Sequence, residues 1–195
     1  MAEPAAPSGI GAIRALTTAT REEIDALADV LIDCVAGGAS VSFMHPLSRV
    51  AARRFWRDAS ASAARGQRVL LVAEDTQGIC GTVQVILAQP ENQPHRADVA
   101  KMLVHTRARR QGLGAALMQA AEQAARCAGK SLLVLDTASD AALRLYLRLG
   151  WEHCGRIPGY ALLPQGGYCD TTVLYRWIAP PPDVPPLQTR TAGPN

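Results

Sequence analysis

The sequence is poor in aromatic residues, which make up 5% of it, and its charges are mixed along the chain. The net charge is only +3, whereas a protein that binds nucleic acid would be expected to show a strongly basic face. A stretch apolar enough to cross a bilayer is missing, which predicts no membrane partner. Residues 1–9 lack the basic and apolar regions of a signal peptide, so none is expected.

The cysteines argue against disulfide and metal chemistry. They number five, are scattered, and include no Cys-x-x-Cys pair. This pattern predicts free thiols in a reducing compartment, and hence a cytoplasmic location, with neither a disulfide framework nor a metal site. The cysteines are Cys34, Cys80, Cys127, Cys154 and Cys169.

The remaining composition suits one globular domain. Hydrophobic residues make up 48% and charged residues 19% of the 195 residues, which is enough for a substantial core. Repeated prolines in a polar context predict a disordered tail over 179–195. We therefore expect a flexible N-terminus over 1–9 and a single domain over 10–178.

Apolar periodicity predicts the element order β-α-α-β-β-β-α-β-α-β-β, with a first strand over 10–16. Thr20 and Glu23 have the spacing of a capping box at the start of the first helix. This order indicates an α/β domain in which helices flank a mixed sheet.

Two further expectations concern packing and loops. In the second helix, over 47–65, Val50, Phe55 and Trp56 are predicted to make the apolar contacts. The last two strands, 151–156 and 171–177, are expected to be joined by a loop that contains glycine and proline.

The most informative stretch is Arg109-Arg110-Gln111-Gly112-Leu113-Gly114. It follows an apolar strand that ends at Val104 and opens an alanine-rich helix over 113–128. A glycine-rich turn at a helix N-terminus leaves backbone N–H groups free and adds about half a positive charge there. Gly112 and Gly114 let an anion approach the backbone closely. The stretch therefore predicts a cradle for a pyrophosphate group.

A Gly-x-Gly sequence before a helix can also be a tight turn that binds no ligand. A dinucleotide-binding fold needs a third spaced glycine, but Ala115, Ala116 and Leu117 follow instead. The Gly-Lys-Ser/Thr of a Walker loop is absent as well. Bound phosphates would therefore belong to another kind of cofactor.

Two motifs at a characteristic spacing resemble those of a known family. They are Arg109-x-x-Gly112-x-Gly114 and Ser139-x-x-Ala142-x-x-x-Tyr146-x-x-x-Gly150-Trp151. The first resembles the acetyl-CoA signature, and the second a downstream motif, of the GNAT superfamily of N-acetyltransferases. The resemblance implies a mixed, mostly antiparallel central sheet flanked by helices, with two central strands splayed around the cofactor.

The match has departures, and the chain also has a looser likeness to one group within the family. Ser139 replaces asparagine, Trp151 replaces phenylalanine, and Thr106 stands where proline is common. The group that the chain resembles is that of the tabtoxin-resistance acetyltransferases. That likeness rests on the stretches 96–104, 135–137 and 157–160 and on an insert over 161–170.

The resemblance implies acetyl-CoA as co-substrate and indicates which residues would bind it. Backbone groups of the central strand would hold the pantetheine arm, amides of the turn would hold the pyrophosphate, and two residues of the second motif would lie close to the cofactor. These residues are Leu103, Val104, Arg109, Arg110, Gln111, Gly112, Leu113, Gly114, Ala115, Ser139 and Tyr146. Arg107 is expected to add positive charge nearby.

Acetyl transfer needs a neutral amine and a protonated leaving thiol. Tyr146 is predicted as the general acid, because a phenol with a pKa of about 10 is protonated at neutral pH; the alternative is a core tyrosine. Asp136 and Asp98, near the ends of neighbouring strands, are both candidates for the base, or for structural hydrogen bonds. Tyr160 is a candidate for lining the acceptor site.

These inferences lead to an acetyl-CoA-dependent N-acetyltransferase that acts by direct attack on the primary amine of a small molecule, such as an amino-acid-like toxin or antimetabolite. Two alternatives stay open: a peptide or protein amine as acceptor, and an acyl-CoA-binding module without catalysis. Homodimers are common in this family, so the resemblance suggests a homodimer.

Overall fold

A seven-stranded sheet organises the computed structural model, which describes residues 12–180. Its strands lie in the order β1-β2-β3-β4-β5-β7-β6, and every pair is antiparallel except β4–β5. The strands are β1 (Arg14–Leu16), β2 (Arg68–Asp75), β3 (Gly78–Ile86), β4 (Arg96–Val104), β5 (Leu132–Thr137), β6 (Glu152–Leu162) and β7 (Tyr168–Trp177). The mixed, mostly antiparallel sheet is thus confirmed.

Helices cover both faces of this sheet, as the sequence predicted. They are α1 (Arg21–Ala36), α2 (Arg49–Ala64), α3 (Leu113–Cys127) and α4 (Asp140–Arg148), and a short 3₁₀ turn spans Thr106–Ala108. In the part of the chain that the structure describes, none of the helices has the length and apolarity needed to span a membrane. The expectations for 1–9, and for the tail from residue 181 onward, concern residues outside those described.

Two apolar cores, one on each side, hold the helices to the sheet. On one side α3 packs on the central strands through residues such as Leu117 and Met118, both fully buried. On the other side Leu27 of α1 and Trp56 of α2 are fully buried against β2 and β3. Burying such side chains contributes about 2 kcal/mol each, so both layers are firmly attached.

β4 and β5 separate soon after they start, which opens the centre of the sheet. They pair only from Arg96↔Leu132 to Asp98↔Val134, although β4 stays paired with β3 as far as Val104. From residue 99 onward the edge of β4 that faces β5 therefore has no strand beside it. The expected splaying of the two central strands is confirmed.

Four sequence expectations need correction. β6 extends to Leu162, so residues 157–162 form strand instead of loop. An edge strand tolerates Pro158, because its outer N–H groups have no strand to pair with, and the register breaks between Ile157 and Ala161. The predicted insert over 161–170 is mostly the end of this hairpin.

Val50 is 77% exposed, so its predicted packing role was wrong. Trp56, which was predicted together with it, is fully buried, so that part of the prediction is confirmed. The first strand, predicted over 10–16, spans Arg14–Leu16 among the described residues, which do not include residues 10 and 11. Three residues were too few to fix its start by periodicity.

The capping box of α1 gives a direct test of local stability. The Thr20 hydroxyl accepts a hydrogen bond from the Glu23 amide (3.2 Å), and the Glu23 carboxylate accepts one from the Thr20 amide (2.7 Å). Thr20→Ala should lower the free energy of unfolding by about 1 kcal/mol in urea titrations. Thr18→Ala, at a neighbouring exposed position, is the matched control and should change it by less than about 0.5 kcal/mol. Equal losses in the two variants would contradict the capping role.

Candidate active site

The turn before α3 presents a row of free backbone amides. Gly112 is the N-cap of α3 and has φ 81°, in the left-handed region. Within residues 12–180, the amides of residues 110–114 have no hydrogen-bond acceptor, whereas Ala115 donates to the Gly112 carbonyl (3.0 Å). Free amides at a helix N-terminus, together with the helix dipole, form an anion site. The predicted cradle therefore has the geometry to bind an anion, through fewer amides than expected.

The two glycines of the turn serve different purposes. A Cβ on Gly112 would meet nothing within 4 Å, so its backbone conformation is what requires glycine. A Cβ on Gly114 would lie 3.1 Å from Cδ2 of Leu145 on α4. Gly114 thus lets α4 approach α3 closely, a packing role that sequence reasoning missed.

The arginines around the turn separate into two groups. Arg107 is bound away from the cradle: its Nε lies 2.8 Å from Asp75 Oδ2, and the ion pair lowers the pKa of the Asp75 carboxyl. The expectation that Arg107 adds positive charge beside the cofactor was therefore wrong, because the Asp75 carboxylate and the Ile79 carbonyl hold its guanidinium. Arg109 donates from Nε to the Val104 carbonyl (3.0 Å), and Arg110 is exposed at the turn.

One cavity of about 900 Å³ lies in the gap between β4 and β5 and extends to the cradle. Most of the predicted binding residues line it: Leu103, Val104, Arg109, Arg110, Gly112, Leu113, Gly114, Ala115, Ser139 and Tyr146. Gln111 does not line it, and its side-chain amide donates to the Arg107 carbonyl (3.3 Å). Ser139 also caps α4 by accepting from the Ala142 amide (3.3 Å).

Tyr146 projects from α4 into this cavity and is only 5% exposed. Burial, and to a smaller degree the charge of Asp136, raise the pKa of its phenol above the ordinary 10.0. Its hydroxyl makes no hydrogen bond with any described residue. A protonated phenol with free hydrogen-bonding capacity therefore faces the gap.

The two candidate aspartates lie on the opposite face of the sheet from α3. Asp98 and Asp136 alternate along their strands with Ala97 and Leu135, which pack against α3 and α4. Together with Tyr160 they line a smaller cavity of about 230 Å³. The structure thus brings all three predicted acceptor-side residues together.

The two carboxylates differ in how many of their oxygens have a hydrogen-bond partner. Both oxygens of Asp98 are taken, one by the Arg96 guanidinium and the other by the Gln89 amide (3.0 Å). Asp136 accepts one hydrogen bond, from the Thr171 hydroxyl at 2.7 Å. Its second oxygen has no partner among the described residues, so Asp136 is freer to bind a cation.

Lys101 was not predicted, yet it lines the same large cavity as Asp136 and Tyr146. It sits in the bulge of β4, with φ 50°. Its Nζ lies 3.1 Å from the Ser42 hydroxyl and 5.7 Å from the centre of the Phe55 ring. Burial lowers the pKa of its ammonium, and the charge of Asp136 partly opposes this. The signal that could have found it is a lone lysine within the otherwise apolar run 99–104.

The turn between β6 and β7 borders the large cavity through Leu163. His45 donates its amide to the Pro164 carbonyl (2.9 Å), and the Gln165 side chain donates to the Ala36 carbonyl (3.3 Å). Ser40 donates to the Leu162 carbonyl (3.3 Å). These contacts join the β6–β7 hairpin to the loop after α1, and we call this junction the roof.

Comparison with known proteins agrees with this geometry. A family model described as an acetyltransferase (GNAT) domain matches residues 66–153. The fold is similar to that of an N-acetyltransferase from Staphylococcus aureus Mu50, with a TM-score of 0.73 at 18% identity, covering 88% of this chain and 100% of that chain.

Two further solved structures are similar. A GNAT superfamily phosphinothricin acetyltransferase from Sinorhizobium meliloti, in complex with acetyl-CoA, has a TM-score of 0.71 at 18% identity, covering 85% of this chain and 87% of that chain. A ribosomal-protein-alanine N-acetyltransferase from Brucella melitensis has a TM-score of 0.69 at 22% identity, covering 85% of this chain and 99% of that chain. At these identities the structures establish the fold, and the family model spans the cradle and α4. Residues 66–153 thus match a GNAT acetyltransferase domain, and the described chain has the GNAT fold.

Proposed function

We propose that this protein transfers the acetyl group of acetyl-CoA to the primary amine of a small molecule, which attacks the thioester directly. One observation carries the proposal: free amides at the start of α3 and the buried phenol of Tyr146 open into the same gap between β4 and β5. An anion site and a proton donor, placed on one cavity, are what binding of a pyrophosphate and release of a thiol require.

The residues of the gap suit the parts of acetyl-CoA. The amides of residues 110–114 would hold the pyrophosphate, with the charge of Arg109 and Arg110 beside them. The unpaired edge of β4 at Leu103 and Val104 would bind the amide groups of the pantetheine arm, as a strand pairs with an extended peptide. Ser139 and Tyr146 border the same cavity.

Arg109 would change partners when acetyl-CoA binds. Its guanidinium donates a hydrogen bond to the Val104 carbonyl, which is one of the acceptors that the pantetheine arm would use. Displacement from that carbonyl would leave Arg109 free to approach a phosphate. Asp33, 3.6 Å from the guanidinium, would hold it near the turn meanwhile.

Tyr146 and Asp136 would supply the proton transfers. The ammonium of the acceptor would give its proton to the free oxygen of Asp136, directly or through water, and so become a nucleophile. The amine nitrogen would then bond to the carbonyl carbon of the thioester, and Tyr146 would protonate the thiolate as the C–S bond breaks. The proton that the new amide nitrogen loses would pass through water to the Tyr146 phenolate. Asp98 is the second candidate for the base, but its oxygens already hold Arg96 and Gln89, so we place Asp136 first.

The roof supports a small acceptor. A peptide would have to displace the contacts between the β6–β7 turn and the loop after α1, whereas a small amine fits beneath them. The similar proteins do not decide this point, since one is named for phosphinothricin and another for an alanine of ribosomal protein.

We further propose a homodimer in the cytoplasm. Support for the dimer comes from the outer edge of β6, which has no neighbouring strand in the described sheet and carries exposed apolar residues, among them Ile157 and Leu162. Support for the location comes from the five cysteines, all of which are free.

The cradle is tested by alanine at the two ends of α3. Gly112 and Gly129 both have positive φ, and at neither would a Cβ meet an atom within 4 Å. Each alanine should therefore cost about 1 kcal/mol of stability through backbone strain. Gly112→Ala alone should raise the KM for acetyl-CoA by about 5-fold, the equivalent of about 1 kcal/mol. Equal KM values in the two variants would rule out the cradle as the phosphate site.

The general acid is tested by removing one hydroxyl. Tyr146→Phe should lower kcat by about 100-fold, with little change in the KM for acetyl-CoA. Tyr175→Phe, which removes a surface hydroxyl bound to Glu152, is the control and should leave kcat unchanged. Because burial raises the pKa of Tyr146, the loss of kcat caused by its deprotonation should lie above pH 10.0. Unchanged kcat in Tyr146→Phe would refute the assignment.

The acceptor is tested by thiol release from acetyl-CoA across amino acids, polyamines, aminoglycosides, β-lactam dipeptides and peptides. We expect turnover with free amines to exceed turnover with peptides, because the roof restricts entry. Higher kcat/KM on peptides would favour a peptide acceptor. Tight binding of acetyl-CoA without release on any amine would favour the binding module.

A further inference from the structure

Lys101 places a positive charge where no described residue forms an ion pair with it. None of the ion pairs in residues 12–180 involves its ammonium, and its hydrogen-bond partner is a neutral hydroxyl, that of Ser42. The Phe55 ring beside it supplies a weakly attractive face. Partly burying a charge that has no ion-pair partner costs free energy, so an anion at this position would be stabilising.

The backbone holds Lys101 in this position at a cost. Both Lys101 (φ 50°) and Ser42 (φ 76°) adopt left-handed conformations that residues with a Cβ rarely take. Such strain persists where the surroundings enforce it, and it concentrates at binding sites. The β4 bulge adds one residue between Ala100 and Leu103 relative to β3. It places Lys101 beside Phe55 of α2, on the acceptor face.

A negative charge faces Lys101 from the other splayed strand. Asp136 of β5 lines the same cavity, and its charge acts on the pKa of both Lys101 and Tyr146. The cavity therefore holds an anionic group and a cationic group on its two sides. A ligand that carries an ammonium and an anion would satisfy both, whereas a simple amine would leave Lys101 uncompensated.

We infer that Lys101 is a specificity residue that binds an anionic group of the acceptor, so that the acceptor is a zwitterionic amine such as an amino acid or an aminophosphonate. This inference rests on the proposed function. In it, Asp136 binds the ammonium end of the acceptor and directs it to the gap, while Lys101 holds the carboxylate or phosphonate end under the roof.

The experiment compares acceptors in matched pairs that differ in the anionic group: L-leucine with L-leucinamide, γ-aminobutyrate with butylamine, and aminomethylphosphonate with ethylamine. The wild-type protein should prefer the anionic member. Lys101→Met should raise the KM of that member by about tenfold or more and change the neutral member less than twofold. Lys101→Arg should retain most of the preference, because it retains the charge.

Two controls separate recognition from folding. Lys130→Met removes the only other lysine of the sequence and should leave the preference for anionic acceptors intact. The KM for acetyl-CoA should stay unchanged in Lys101→Met. A wild-type preference for the neutral members, or equal losses on both members of each pair in Lys101→Met, would overturn the inference.

The outcome is distinguishable from failure of the proposed function. If the wild type acetylated no amine, the transferase proposal would fail, and calorimetry with the same anionic probes would then decide the role of Lys101. Binding of L-leucine, γ-aminobutyrate or aminomethylphosphonate to the wild type that is lost in Lys101→Met would support it. Absence of binding, or equal binding to both proteins, would overturn it.

Discussion

The early end of the β4–β5 pairing is the constraint on which the site depends. Backbone groups of a strand normally find partners on both sides, and unpaired ones are costly when buried. From residue 99 onward β4 has such groups along one edge, and no neighbouring strand takes them. The fold thus keeps a length of backbone available for a ligand with peptide-like amides, and the surrounding elements are arranged about that opening.

The helices on either face place different chemistry at this opening. On one face, the left-handed Gly112 starts α3 so that its first amides point outward, and Gly114 lets α4 lie close enough to bring Tyr146 to the gap. On the other face, alternation along the strands presents Asp98 and Asp136. The anion-binding amides of the turn before α3 and the two carboxylates therefore lie on opposite faces of a single sheet.

Local signals in the sequence predicted local structure well. The spacing of Thr20 and Glu23 gave the start of α1, and the glycines around residue 112 gave the turn before α3, because caps and turns depend on neighbours in the chain. The extent of β6 was missed, since Pro158 signals a loop unless the strand is known to lie at the edge of a sheet.

Longer-range features did not follow from the sequence. The pairing of Arg107 with Asp75 joins residues far apart in the chain. The sequence of a charged motif does not show whether its arginine binds a cofactor phosphate or a distant carboxylate. Lys101 was overlooked because a bulge reverses the face on which a side chain lies, and a bulge is set by the register with β3. The separation of β4 and β5 was predicted only from the family resemblance.

The placement of cradle and carboxylates on opposite faces has a kinetic consequence. Under the proposed function, acetyl-CoA would enter from the face that carries α3 and the acceptor from the opposite face, so neither would have to leave before the other arrives. Both would then be held at once in a ternary complex, and no side chain would carry the acyl group between them. Initial-rate plots would accordingly intersect instead of running parallel.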